Sequence, residues 1–151
     1  MLMQEEKDFK KEELFLFIIE QLIAEYSDVV ASVDVQQPKA EIKIVCDFFE
    51  NNYMKNIALN DLSTLTGLSK YYLLRSFTKE KGISPYSYLE TIRIGKAKKF
   101  LEQGIQPIDV ALKTGFTDQS HFTNFFKKLI GLTPKQYMNI FIEGYRGKEN
   151  D

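Results

Sequence analysis

The chain has 151 residues, 44% hydrophobic and 13% aromatic, which is enough for one ordinary domain with a buried core. Its eight glycines and four prolines are few and well separated, which excludes a disordered chain and argues against a succession of strands and turns. The net charge of −1 hides a segregation: residues 1–50 carry 5 Lys against 12 Asp or Glu (−7), and residues 51–151 carry 15 Lys or Arg against 9 Asp or Glu (+6), so only the second part suits a polyanion.

The first predicted element is a helix over residues 12–26, where Leu14, Phe15, Ile18, Ile19, Leu22 and Ile23 recur three and four apart as one apolar stripe. Acidic residues cluster before and around its start, where the helix dipole favours them. Residues 31–40 have no usable periodicity and read as a linker closed by Pro38. Further helices are expected at 39–52, 60–66, 69–81, 85–103, 107–113, 118–130 and 134–143. Asn60 or Asp61, Ser69 and Asp118 are the expected N-caps, and Pro85, Pro107 and Pro134 suit first helical turns. No segment sustains period-two alternation, so the fold class is all-α. The expected domain organisation is an arm and linker over 1–37, a helical domain over 38–143 and a tail over 144–151.

The second half of the chain repeats itself. Leu62-Ser63 matches Val110-Ala111, and Gly67-Leu68 matches Gly115-Phe116, at a spacing of 48. Beyond the glycines the spacing becomes 49, pairing Leu73 with Phe122, Phe77 with Phe126, Lys79 with Lys128, Gly82 with Gly131, Pro85 with Pro134 and Tyr88 with Tyr137. One extra residue after Gly115 accounts for the shift. Each copy is a short helix, a glycine suited to a left-handed turn, and a longer helix, which is the helix-turn-helix pattern. A single copy would be a weak signal, because any corner between two helices can look like this. Two copies in register are a much stronger one. The helix at 85–103 joins them through a stripe of Tyr88, Leu89, Ile92, Ala97, Phe100 and Leu101, with Arg93, Lys96, Lys98 and Lys99 mostly on other faces.

If Leu73/Phe77 and Phe122/Phe126 face the core, the opposite face of the first long helix presents Tyr71, Leu74, Arg75 and Thr78. The matching face of the second presents Ser120, Thr123, Asn124 and Lys127, with His121 beside it. Arg75 can pair bidentately with guanine and Asn124 with adenine, while Tyr71 and Leu74 suit a thymine methyl. Ser69, Lys70, Lys79, Lys127 and Lys128 lie around these faces and suit phosphates, which position a protein without reading sequence. Taken alone, a Tyr-Lys-Arg face is more often plain solvated surface, and it is the repeat that favours the binding reading. A lone histidine is more often structural than a ligand. Cys46, the only cysteine, sits in an apolar run and reads as core. Tyr86, Tyr88 and Tyr137 read as packing residues.

These residues carry a resemblance. From about Ile42 to Tyr137 the sequence resembles the AraC/XylS family of bacterial transcription regulators, most strongly in IDVALKTGFTDQSHFTNFFKKLIGLTPKQY, with Gly115-Phe116, Phe122, Phe126-Lys127-Lys128, Gly131, Pro134 and Tyr137 in place. The resemblance implies seven helices, two helix-turn-helix subdomains and a linking helix, which insert into successive major grooves of double-stranded DNA. It implies base reading by Tyr71, Leu74 and Arg75 in the first unit, and by Ser120, His121 and Asn124 in the second. Leu74 stands where polar residues are common and Asn124 where a basic residue is frequent, which bears on the identity of the site. Ser63 and Thr66 replace the usual small alanines, an accommodation that works if their hydroxyls bond the preceding turn.

Family members carry a sensing domain before these helices, often a barrel for which this chain is too short. Residues 9–28 resemble the last dimerising helix of such a region, which fits a carboxy-terminal piece of a longer regulator. The stripe Leu14/Phe15/Ile18/Ile19/Leu22/Ile23 then needs a cover. Either the chain's own domain or the same helix in a second copy would supply it, and the pairing with a copy is favoured.

The remaining classes are narrowed by what is missing. One cysteine permits no internal disulfide and points to a reducing compartment, no apolar run approaches the ~18–20 residues of a membrane span, and the charged start excludes a signal peptide, so a cytoplasmic protein is expected. No metal-ligand set, phosphate loop or dinucleotide fingerprint is present, so neither an enzyme nor a cofactor is expected. RNA polymerase is a candidate protein partner. The rival reading is a helical protein-interaction module, or an anti-activator acting through residues 12–26.

Overall fold

The structure, a computed structural model, describes residues 2–26 and 37–146. Residues 31–36 of the expected linker and 147–151 of the expected tail lie outside the described residues. The described residues form helices and no strand: α1 (Leu2–Tyr26), α2 (Lys39–Asn52), α3 (Leu59–Thr66), α4 (Lys70–Lys81), α5 (Pro85–Glu102), α6 (Pro107–Lys113), α7 (Gln119–Ile130) and α8 (Pro134–Arg146). Six helices match their expected bounds to within a residue. Two differ: α8 runs to Arg146, and α1 begins at Leu2 rather than at residue 12. Residues 2–11 contain good helix formers without Pro or Gly, but little apolar periodicity, so propensity extends a helix that the periodic pattern shows only from residue 12.

The helix ends follow from side-chain chemistry. Ser69 Oγ accepts from Tyr72 N at 3.2 Å and Asp118 Oδ1 from His121 N at 2.6 Å, so both act as the expected caps. At α3 the cap position is Ala58, and Asp61 works from inside the first turn, its Oδ2 accepting from Ala58 N at 2.8 Å. Gly67, Gly82, Gly115 and Gly131 all have positive φ, which places left-handed turns at the two repeat-related pairs.

The described residues fall into two compact units, one drawn from Met1–Asn51 and Asn56–Tyr88, the other from Asn52–Lys55 and Leu89–Asp151. In the first, Ile42, Val45 and Phe49 of α2 join Leu59 and Leu62 of α3 and Leu73 and Phe77 of α4 in the buried core. The Phe77 ring lies edge-on to Phe49 and to Tyr88. In the second, Ala97 and Leu101 of α5 pack with Val110, Ala111, Phe116, Phe122, Phe126 and Met138. Each such fully buried Phe contributes on the order of 1.5–3 kcal/mol relative to an exposed one. The Tyr137 ring packs on Phe126, and its hydroxyl donates to Glu102 Oε1 at 2.6 Å; burial first, and then that bond, push its pKa up to about 12. Tyr86, Tyr88 and Tyr137 are thus packing residues.

The structure extends the repeat. Thr66 Oγ1 donates to Leu62 O (2.8 Å), and Thr114 Oγ1 to Val110 O (2.7 Å), a pair at the same spacing of 48. Thr66 therefore bonds the preceding turn as expected, whereas Ser63 Oγ reaches forward to Leu68 O. Ser84 Oγ accepts from Ser87 N just as Thr133 Oγ1 accepts from Gln136 N, so α5 and α8 begin on equivalent caps.

The first unit includes α1. Phe9 is 1% exposed and packs on Tyr86 (5.3 Å between rings), and the buried Glu13 accepts from Tyr86 N at 2.9 Å, satisfying a backbone donor in the first turn of α5. The docked side of α1 is therefore a face of Phe9, Glu12, Glu13 and Glu20. The predicted stripe points elsewhere: Leu14, Phe15, Ile18, Leu22 and Ile23 are exposed, and only Ile19 is half-buried. Among the described residues nothing covers that stripe.

Candidate nucleic-acid interface

Each unit carries one candidate face, on α4 in the first and on α7 in the second, and each of these helices is fixed by two aromatic or aliphatic anchors one turn apart. Phe122 and Phe126 are fully buried, which turns Ser120, Asn124, Lys127 and Lys128 outward as exposed side chains and leaves Thr123 half-buried between them. Gln119, Ser120, Thr123 and Asn124 together line a shallow recess. This face carries two positive charges and several hydrogen-bonding groups, with no carboxylate among them. Such a surface can accept phosphates at its edge and base edges at its centre.

On α4, Leu73 and Phe77 are likewise fully buried, Arg75 is 60% exposed in its side chain, Tyr71 is half-buried, and Ser69 and Lys79 are exposed. Leu74 departs from expectation. It is 2% exposed, so it does not present a methyl surface outward as the sequence reading had it. Lys70 is also engaged: its Nζ lies 2.5 Å from Glu12 Oε1, and Arg75 Nε lies 3.5 Å from Glu20 Oε1. The two cations on either side of Leu74 thus both face α1.

His121 departs as well. Its ring packs on Phe116 and stacks on Phe125, and Nε2 lies 2.9 Å from the buried Glu90 Oε1 of α5. In this arrangement it ties α7 to α5 rather than projecting beside Asn124. Arg93, expected outside the buried stripe of α5, is 0% exposed. Its Nε donates to Tyr53 O (2.8 Å) and its Nη2 to Lys55 O (3.0 Å), and its guanidinium lies over the Phe116 ring. Among the described residues no group of three or more His, Cys, Asp or Glu could hold a metal, and no helix is long and apolar enough to cross a membrane.

The helix-turn-helix domain family matches residues 62–140, just over half of the chain and the span that holds both repeats. The chain belongs to the AraC-type helix-turn-helix family. It is 60% identical over 121 residues to the uncharacterized HTH-type transcriptional regulator YbfI of Bacillus subtilis, covering 80% of this chain and 44% of that protein. It is 30% identical over 118 residues to the bifunctional transcriptional activator/DNA repair enzyme AdaA of the same organism, covering 76% of this chain and 56% of that one. The chain thus spans about half the length of these curated relatives. Among solved structures it is similar to a probable AraC family transcriptional regulator from Rhodopseudomonas palustris, with a TM-score of 0.63 and 26% identity, covering 68% of this chain and 97% of that one.

The AraC-type pattern accounts for both glycine turns and both pairs of core anchors. The contacts of Glu13, Glu90 and Arg93 join residues 31 to 73 positions apart, and all three charged members are buried. A search for apolar periodicity passes over them. Leu74 carries no such signal either, since a single leucine on an outward face is ordinary.

Proposed function

We propose that this chain binds double-stranded DNA sequence-specifically, laying α4 and α7 in major grooves, and regulates transcription of the promoters it occupies. The observation that carries the reading is the α7 face, where Ser120, Asn124, Lys127 and Lys128 are exposed together directly opposite the buried Phe122 and Phe126. Membership of the AraC-type family supports DNA as the ligand. Asn124 and Ser120 would read base edges in one unit, and Arg75 and Tyr71 in the other. Ser69, Lys79, Lys127 and Lys128 would hold phosphates, with Lys70 joining them once it is free of Glu12. The reading places the protein in the cytoplasm, where chromosomal DNA is accessible.

The test is duplex binding measured across a salt series. The association constant is expected to fall with salt, with a log–log slope of about −0.9 for each phosphate neutralised. Lys128→Ala should reduce the slope by about 1 and weaken all duplexes alike. Binding that is absent, or insensitive to salt, for every duplex tried would remove the proposal.

A further inference from the structure

The family match covers residues 62–140 and leaves α1 outside it. This helix comes from the acidic part of the chain, and its carboxylates pair with cations assigned to DNA. Glu12 pairs with Lys70 and Glu20 with Arg75. The eight steps from Glu12 to Glu20 rise about 12 Å and the five from Lys70 to Arg75 about 7.5 Å, a difference that the long side chains can span. The two ion pairs therefore lay α1 along α4 over the stretch that holds Tyr71 and Leu74. On that same face Leu74 is buried, and Thr78 Oγ1 is buried without a hydrogen-bond partner among the described residues. By contrast, the equivalent α7 face, at Ser120, Asn124 and Lys127, is exposed.

We infer that α1 is an internal competitor of DNA, whose carboxylates occupy the phosphate- and base-facing cations of α4 and hold the first reading helix closed while the second stays open. This rests on the proposed reading of α4 as a DNA-facing helix. The chemistry of the cover supports it. A carboxylate beside Lys70 or Arg75 neutralises the charge that a phosphate would pair with, and it repels an approaching polyanion. The cover is also removable. Both ion pairs are partly exposed, where such pairs are weak and salt-screened. Phe9 and Glu13 meanwhile keep α1 attached at Tyr86 of α5. The acidic segment then acts as a threshold on binding, so that a duplex must outcompete two carboxylates before it can use both units.

The experiment is duplex affinity of the full chain, comparing wild type with E12Q/E20Q and with D8N/D109N, which removes two negative charges at exposed positions outside the two ion pairs with α4. E12Q/E20Q should bind the same duplex roughly 3- to 30-fold more tightly, the range that two surface ion pairs can hold back. The control should change affinity less than twofold. Independently, hydrogen exchange of wild type should show amides of residues 12–20 exchanging faster when duplex is added. Equal tightening in both variants, or α1 amides equally or better protected in the complex, would overturn the inference and leave DNA binding intact. Absence of duplex binding in all three proteins would remove the underlying reading and the inference with it.

Discussion

Gly115→Ala should destabilise the protein by about 3–5 kcal/mol, whereas Gly67→Ala, at the equivalent position of the first repeat, should cost only about 1–2 kcal/mol. Both glycines have positive φ, +82° and +72°, so both substitutions force an L residue into the left-handed region. They differ in what a methyl group meets. At Gly67 nothing lies within 4 Å, so the conformational cost stands alone. At Gly115 the new carbon would lie 2.6 Å from Tyr53 O and 3.1 Å from Arg93 Nε and Nη2. That carbonyl is held by Arg93 itself, so relieving the clash means breaking a buried, charge-assisted hydrogen bond worth roughly 1.5–3 kcal/mol. Urea unfolding followed by circular dichroism measures both variants. Equal losses at the two glycines would mean that the second turn is not packed as described.

The second large effect is expected at Arg93. Arg93→Met should cost about 3 kcal/mol, because it leaves the carbonyls of Tyr53 and Lys55 without the donors they have now. The loss is smaller than two full charge-assisted bonds, since removing a buried cation also removes its desolvation cost. Arg93→Lys should recover little, as an ammonium cannot reproduce the fork that serves two carbonyls at once. Because Arg93 and Gly115 share the Tyr53 carbonyl, the double variant G115A/R93M should lose less than the sum of the single losses. Thermal or urea unfolding of the four proteins tests this, and strict additivity would contradict the shared contact.

These two positions show how far the sequence could be read. Apolar periodicity, glycines and caps are local signals, and they place α2 to α8, the two turns and the anchors Leu73, Phe77, Phe122 and Phe126 without knowledge of the tertiary structure. The repeat then transfers an outward face from one helix to the other, and Arg75, Ser120, Asn124, Lys127 and Lys128 are exposed as that transfer requires. What stayed hidden depends on contacts distant in sequence. Arg93 looks like one more surface cation of α5 until the chain brings the Tyr53 and Lys55 carbonyls to it. His121 looks like a base contact until the buried Glu90 of α5 is placed against it. The docked face of α1 is hidden for a different reason. The apolar stripe of α1 drew attention to Leu14, Phe15 and Ile18, whereas the helix docks through Phe9, Glu13 and two ion pairs. Carboxylates do not register as a packing face.

The central claim is that one chain reads DNA with two unlike faces. Selection of bound sites from a pool of random duplexes, run in parallel with wild type, Arg75→Ala and Asn124→Ala, tests it most directly. Wild type should select an asymmetric site with two separate preferred segments. Arg75→Ala should relax preference in one segment and Asn124→Ala in the other, each with a loss of about 1–3 kcal/mol on the full site. Recovery of no preferred sequence by wild type, or relaxation of the same segment by both variants, would contradict it.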